Sequence, residues 1–201
     1  MVSNRTRIMT ALVMPVLLFL AACGVNSIPT AEENAKAKWA DVQSQYQRRA
    51  DLIPNLVATV QGYANQERNV LTAVTEARAN ATRVTVSPEQ LTDPAAMQRF
   101  AEAQGRLSAA IIPMQRLQEN YPDLRSNANF MALQSQLEGT ENRIAVARRD
   151  YNQAVQEYNT TIRTFPAVIG ARIIYGSQPM QPFQAEEGAQ HAPTVNFGNG
   201  H

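Results

Sequence analysis

Arg48–Val57 reads RRADLIPNLV and sets a proline inside an otherwise unbroken helical pattern. The reading of Pro54 decides how many helices the chain has. Upstream, Ala35, Trp39, Val42, Tyr46 and Ile53 fall at intervals of three, four or their sum, seven. Downstream, Leu56, Val60, Tyr63, Val70, Val74, Ala77 and Ala81 do the same, with Glu67 as the one polar member. A proline inside a helix loses a hydrogen bond and crowds the preceding turn, at a cost of about 3 kcal/mol. In a first turn that N–H has no partner to lose. Asp51 is a good N-cap and places Pro54 in such a first turn. A single helix from Ala31 to Arg83 would be about 80 Å long, and no other segment is long enough to cover it. Asp51–Asn55 is therefore read as a chain reversal, with a kink in one continuous helix as the alternative.

Further helices follow. Ser87-Pro88 marks a loop, and Asp93-Pro94 pairs an N-cap with proline at the first helical position. A third series runs Met97, Phe100, Gln104, Leu107, Ile111, Met114, Leu117 and Tyr121, with Pro113 expected to bend it. Tyr121-Pro122-Asp123 stops that helix, and Asn127 is a candidate cap for the next. Phe130, Leu137, Ile144, Tyr151, Tyr158 and Phe165 then recur every seven residues, so one seam of the fourth helix faces its neighbours as far as Pro166. An isolated coiled coil meets the same repeat. With three other amphipathic segments available, the expected fold is all-α, an antiparallel four-helix bundle over residues 31–170. Residues 171–201 are rich in Gly, Pro and Gln and read as a flexible, largely irregular tail with a few apolar residues able to dock, Ile173, Ile174, Phe183 and Phe197.

The 201 residues suffice for one domain with a real core. A net charge of +1 argues against a binder that needs a dense basic face, so no nucleic-acid partner is expected. The opening MVSNRTRIMTALVMPVLLFLAAC has Arg5 and Arg7, an apolar run from Ile8 to Leu20 and small residues after it, the layout of a secretory signal peptide over residues 1–22. Leu20-Ala21-Ala22-Cys23 has the form of a lipobox, with cleavage between Ala22 and Cys23 and acyl chains, palmitate among them, on Cys23. An uncleaved membrane helix is the alternative, but about 15 apolar residues fall short of the roughly 20 a span needs. Cys23 is the only cysteine and has no internal disulfide partner. Residues 23–30 read as a tether. Without residues 1–22 the chain has 16 basic and 17 acidic residues, so its attachment is expected through lipid on Cys23, at about 0.8 kcal/mol per buried CH₂.

Chemistry is sparse in this sequence. His191 and His201 both lie in the tail, which leaves no histidine for a triad on the helices. No phosphate loop or His/Cys metal spacing is present, and no cofactor or metal is expected. Glu138 and Glu141 are three apart, but the histidine that di-metal bundles place beside such a Glu is missing, so a solvated face with Arg143 and Arg148 is expected. Glu67 is expected to pair with an arginine. Trp39, Tyr46, Tyr151 and Tyr158 are expected in the core, their polar ends needing partners. Asn152 and Asn159, each following a Tyr, are expected to bond from helix to helix and set register.

The segments RRADLIPNLVATVQGYANQE, ENYPDLRSNANFMALQSQLEGTENRIAVARRDYNQAVQEYNTTIRTFP and FQAEEGAQHAPTVNF together resemble the LemA family. The motif residues carrying the resemblance are Asp51, Pro54, Asn55, Tyr121, Pro122, Asp123, Asn127, Tyr151, Asn152, Tyr158 and Asn159, with Trp39 at the position expected before the first motif. The resemblance implies a membrane-attached, extracytoplasmic bundle of four antiparallel helices with no established catalytic residues. Members are often encoded near membrane proteases or other envelope proteins, which implies an accessory role. Two features depart from the family pattern: a lipobox where many members carry a membrane helix, and Pro113. The expected protein is a lipid-anchored, non-enzymatic scaffold or interaction protein of the bacterial cell envelope with an envelope protein partner. An accessory subunit of a membrane protease or transporter is the alternative, and an envelope hydrolase the third. Gly24 after Cys23 lacks the Asp that retains some lipoproteins at an inner membrane, which favours the outer one in a Gram-negative host.

Overall fold

The structure, a computed structural model, describes residues 26–184, and among them are helices and connecting segments but no strand. Four helices are long: α1 (Ser27–Tyr63), α2 (Arg68–Arg83), α3 (Pro94–Asn120) and α5 (Ala128–Thr161). The short pieces are a 3₁₀ turn at Pro88–Thr92, α4 (Pro122–Arg125), α6 (Ala167–Gly170) and a π-helical turn at Ala171–Tyr175. Helix α1 packs along α5, α2 packs on α3, and α1 also meets α2. Trp39 stacks beside Tyr151 at 5.1 Å and Arg49 meets Glu141 at 3.0 Å. Ten residues forward on α1 are thus ten backward on α5, so the two helices are antiparallel.

The chain reversal expected at Asp51–Asn55 does not occur. Helix α1 passes through Pro54 without interruption, and the turn falls ten residues later, at Ala64–Glu67. Asp51 is no cap; it is exposed on the helix and accepts from Gln47 Nε2 at 2.8 Å. Pro54 is tolerated because its missing N–H is replaced. The acceptor it leaves is the carbonyl of Ala50, four residues back, and Arg78 of α2 donates to that oxygen from Nε at 2.7 Å. A side chain from the next helix closes the gap in the first.

Other boundaries follow local signals. Asp93 Oδ1 accepts from the Ala95 amide at 2.8 Å with Pro94 at the first position, and Asn127 Oδ1 accepts from the Phe130 amide at 2.9 Å to cap α5. Helix α3 continues through Pro113. Helix α1 begins at Ser27, inside the stretch read as a tether, and Ile28 is wholly buried. Helix α5 stops at Thr161, short of Pro166, so Phe165 leaves the heptad seam and lies outside while Phe130, Leu137, Ile144, Tyr151 and Tyr158 are buried.

Two apolar cores fill the body. One gathers Trp39, Tyr46, Phe100, Ile144, Tyr151 and Tyr158; the other gathers Ile53, Leu56, Leu107, Met114, Phe130 and Leu137. A polar layer lies between them. Arg49 falls between Tyr46 and Ile53, Gln104 between Phe100 and Leu107, and Glu141 between Leu137 and Ile144. Arg49 is 1% exposed, and its NH groups donate to Ser108 Oγ (2.7 Å), Glu141 Oε1 (3.0 Å), Gln104 Oε1 (2.8 Å) and the Gln104 carbonyl (3.1 Å). Gln104 Nε2 passes the network on to the Ala81 carbonyl at 3.1 Å. A buried guanidinium is tolerable only with such a set of acceptors. Glu141, expected on a solvated face, is one of them.

Candidate functional site

Helix α5 carries two Tyr-Asn pairs seven residues apart, Tyr151-Asn152 and Tyr158-Asn159. One helical heptad advances about 10.5 Å, which brings both pairs to the same face. They do not bond to another helix as the sequence suggested. Instead they hold an extended segment, residues 177–184, that runs back along α5 from its C-terminal end.

The grip repeats. Tyr158 Oη donates to the Gln178 carbonyl at 3.2 Å, and Asn159 holds Met180 at both backbone groups, donating to its carbonyl and accepting from its amide at 2.9 Å each. Tyr151 Oη donates to the Gln181 carbonyl at 2.8 Å. Asn152 holds Phe183 in the same two-point manner, at 3.0 Å to the carbonyl and 2.7 Å from the amide. Each pair therefore takes one carbonyl and then the residue two further on, and the next pair does so three residues later. Three residues of extended chain span about 10 Å, which matches the helical heptad. The segment itself repeats as Gln178-Pro179-Met180 and Gln181-Pro182-Phe183. Proline suits the unpaired positions because it has no N–H to satisfy and favours an extended chain of three residues per turn. That period turns both Met180 and Phe183 inward, and both are buried.

Phe183 completes an aromatic box. Its ring lies 6.1 Å from Tyr46, 6.2 Å from Phe100 and 6.5 Å from Trp39, and the Arg148 guanidinium covers its face at 4.2 Å. Three helices build this box. Trp39 Nε1 and Gln43 Nε2 both donate to the Val86 carbonyl, at 3.0 and 2.9 Å, and the Gln181 amide donates to the Leu91 carbonyl at 2.8 Å. Burial pushes the Tyr151 and Tyr158 hydroxyls above the ordinary phenol range, so both stay protonated and able to donate to the segment's carbonyls.

Four other motif residues, Tyr121, Pro122, Asp123 and Asn127, serve helix ends. Tyr121 closes α3, and its hydroxyl donates to Glu67 Oε1 at 3.1 Å, which raises the phenol's affinity for its proton. Glu67 thus sits at the start of α2 and pairs with a tyrosine, not with the arginine expected of it. Pro122 and Asp123 form the first turn of α4. Asn127 Nδ2 donates to Tyr63 Oη at 2.8 Å, tying the start of α5 to the end of α1. Asn55 is exposed on α1. Ala22, Cys23, His191 and His201 lie outside the described residues.

Glu138 and Glu141 line an open groove of about 520 Å³ between α3 and α5, together with Ile111, Ile112, Gln115 and Gln134. Among the described residues no three His, Cys, Asp or Glu side chains gather closely enough to hold a metal ion, and no helix is long and apolar enough to cross a membrane. Periodicity arguments passed over Arg49, Arg78 and the Gln-Pro-apolar repeat. The repeat was legible as a period of three facing a period of seven.

The chain belongs to the LemA family, whose model matches residues 38–197. It is also similar to the magnetosome proteins MamQ 1 and MamQ 2 of Paramagnetospirillum magneticum, each 26% identical over 184 aligned residues covering 79% of this chain and 65% of the relative. MamQ of Magnetospirillum gryphiswaldense is 25% identical, covering 70% of this chain and 58% of the relative. The chain therefore spans less than two thirds of the length of these relatives.

Proposed function

We propose that this LemA-family chain is a lipid-anchored, non-enzymatic scaffold of the bacterial cell envelope, built on an antiparallel four-helix bundle. The supporting observation is the Tyr-Asn ladder of α5. The most elaborate polar geometry among the described residues is spent on gripping main chain, and it holds residues 177–184 along α5. A bundle that uses its polar side chains to hold its own main chain in place, above an acylated Cys23, suits a fixed platform for a partner protein. Arg49, the one fully buried cation among the described residues, is consumed by its own polar layer, which fits structure better than catalysis. A place in a magnetosome, as the relatives' name has it, is a narrower form of the same reading.

The test is affinity purification of the full chain from detergent-solubilised membranes, alongside Asn152→Ala/Asn159→Ala. An envelope protein recovered with the parent and lost with the variant is the expected result. Recovery of the parent chain alone would overturn the scaffold reading. The lipid anchor is tested by labelling cells with a radioactive fatty acid. Label on the parent and none on Cys23→Ser is expected, and equal label on both would refute it.

A further inference from the structure

Beyond the end of α5 the chain is built inside out. The small residues Ala167, Gly170 and Ala171 face the body and are buried, while Phe165, Ile169, Ile173, Ile174 and Tyr175 face away from it. Phe165 is 77% exposed, Ile173 79% and Ile174 64%. Isolated exposed apolar residues are ordinary, but five large ones within eleven residues form a patch of the kind that marks contact with another apolar phase.

The position of the patch indicates which phase. The α1–α5 register, Trp39 opposite Tyr151 and Arg49 opposite Glu141, sets Ile28 opposite Ile162; both are buried in one core with Ala167 and Ala171. The patch thus occupies the end of the body at which α1 begins. Cys23 precedes Ser27 by four residues, at most about 14 Å of extended chain. Charge agrees with this placement. From Tyr158 to Gln184 there is no acidic residue, and Arg163 and Arg172 flank the apolar side chains. The nearest acids on α1, Glu32 and Glu33, lie on its second turn and share Lys36, at 2.8 and 2.9 Å, which leaves one net negative charge there against Arg163 and Arg172.

We infer that Phe165–Tyr175 is a membrane-contacting cap, which rests on the reading of Cys23 as the lipid anchor. Phe165, Ile169, Ile173 and Ile174 enter the acyl boundary of the bilayer, as the apolar face of an interfacial helix does. Tyr175 lies at headgroup level, where an aromatic ring with a polar tip is favoured. Arg163 and Arg172 reach lipid phosphates. Cap and anchor together make two attachments at one end, so α1 and α5 stand away from the membrane rather than swinging freely on a tether.

The experiment uses the full lipidated chain in vesicles of phosphatidylglycerol and phosphatidylcholine, with or without bromine on the acyl chains. Ile173→Trp introduces a reporter at an exposed position, and buried Trp39 supplies a constant background; the same label at Ile174 gives an independent reading. Flotation reports the anchor and quenching reports the cap. Flotation with loss of the new emission in brominated vesicles is expected. Flotation with an unquenched, water-exposed tryptophan overturns the cap and leaves the anchor standing. A blue-shifted but unquenched tryptophan also overturns it, because protein, such as a second copy of the chain, then covers the patch. Neither flotation nor quenching overturns both readings.

Discussion

Arg78 Nε lies 2.7 Å from the carbonyl oxygen of Ala50, the acceptor that residue 54 would serve if it were not proline. This bond links α2 to α1 at the one gap in the α1 backbone ladder and accounts for a 37-residue helix with a proline in its interior. Arg78→Ala is expected to cost about 1.5–3 kcal/mol, as for loss of a hydrogen bond from a charged donor to a buried acceptor. In that background Pro54→Ala should recover part of the loss, since the new N–H reaches the same oxygen. A double-mutant cycle by urea denaturation measures this coupling, and strictly additive effects would refute it.

Asp51→Ala is expected to change stability by no more than about 0.5 kcal/mol, the range of an exposed position away from caps and buried networks. Loss of a true N-cap would cost about 0.5–2 kcal/mol. Denaturation of the single variant separates the two.

Asn159→Asp keeps the side chain's shape but replaces the amide donor with a carboxylate facing the Met180 carbonyl. The segment should detach locally at a cost of about 1–3 kcal/mol. Hydrogen exchange reads this directly: the Met180 amide should lose protection, and Phe183, held by Asn152, should lose less. Unchanged protection at both residues would rule out the ladder as the holding device.

Arg49→Lys preserves the charge but not the fork that reaches Ser108, Gln104 and Glu141 together. A loss of about 2–4 kcal/mol is expected. Glu141→Gln should cost less than about 1 kcal/mol, because that carboxylate is half exposed and screened by water. Equal losses in the two variants would show that the ion pair, not the forked network, carries the layer.

Much of this protein can be read locally. The stripes of α1, α3 and α5 follow from apolar spacing, because a helix must bury one face. Asp93-Pro94 and Asn127 mark helix starts because first-turn amides need acceptors close by in sequence. Membership in the LemA family follows from DLIPNLV, YPDL and the paired Tyr-Asn motif in the same way.

The remainder depended on groups far apart in the chain. Pro54 signals a break when only its own neighbours are considered, since the donor that removes its cost lies 28 residues away on α2. Tyr151, Asn152, Tyr158 and Asn159 were visible as polar groups needing partners. Nothing local showed that those partners would be the backbone of residues 178–183, because main-chain hydrogen bonding leaves little trace in side-chain composition. Phe165 continues a perfect heptad and is nonetheless exposed, since α5 ends before reaching it. Periodicity determines which face of a helix is apolar; where each helix stops, and what that face meets, was decided by long-range contacts that satisfy the backbone.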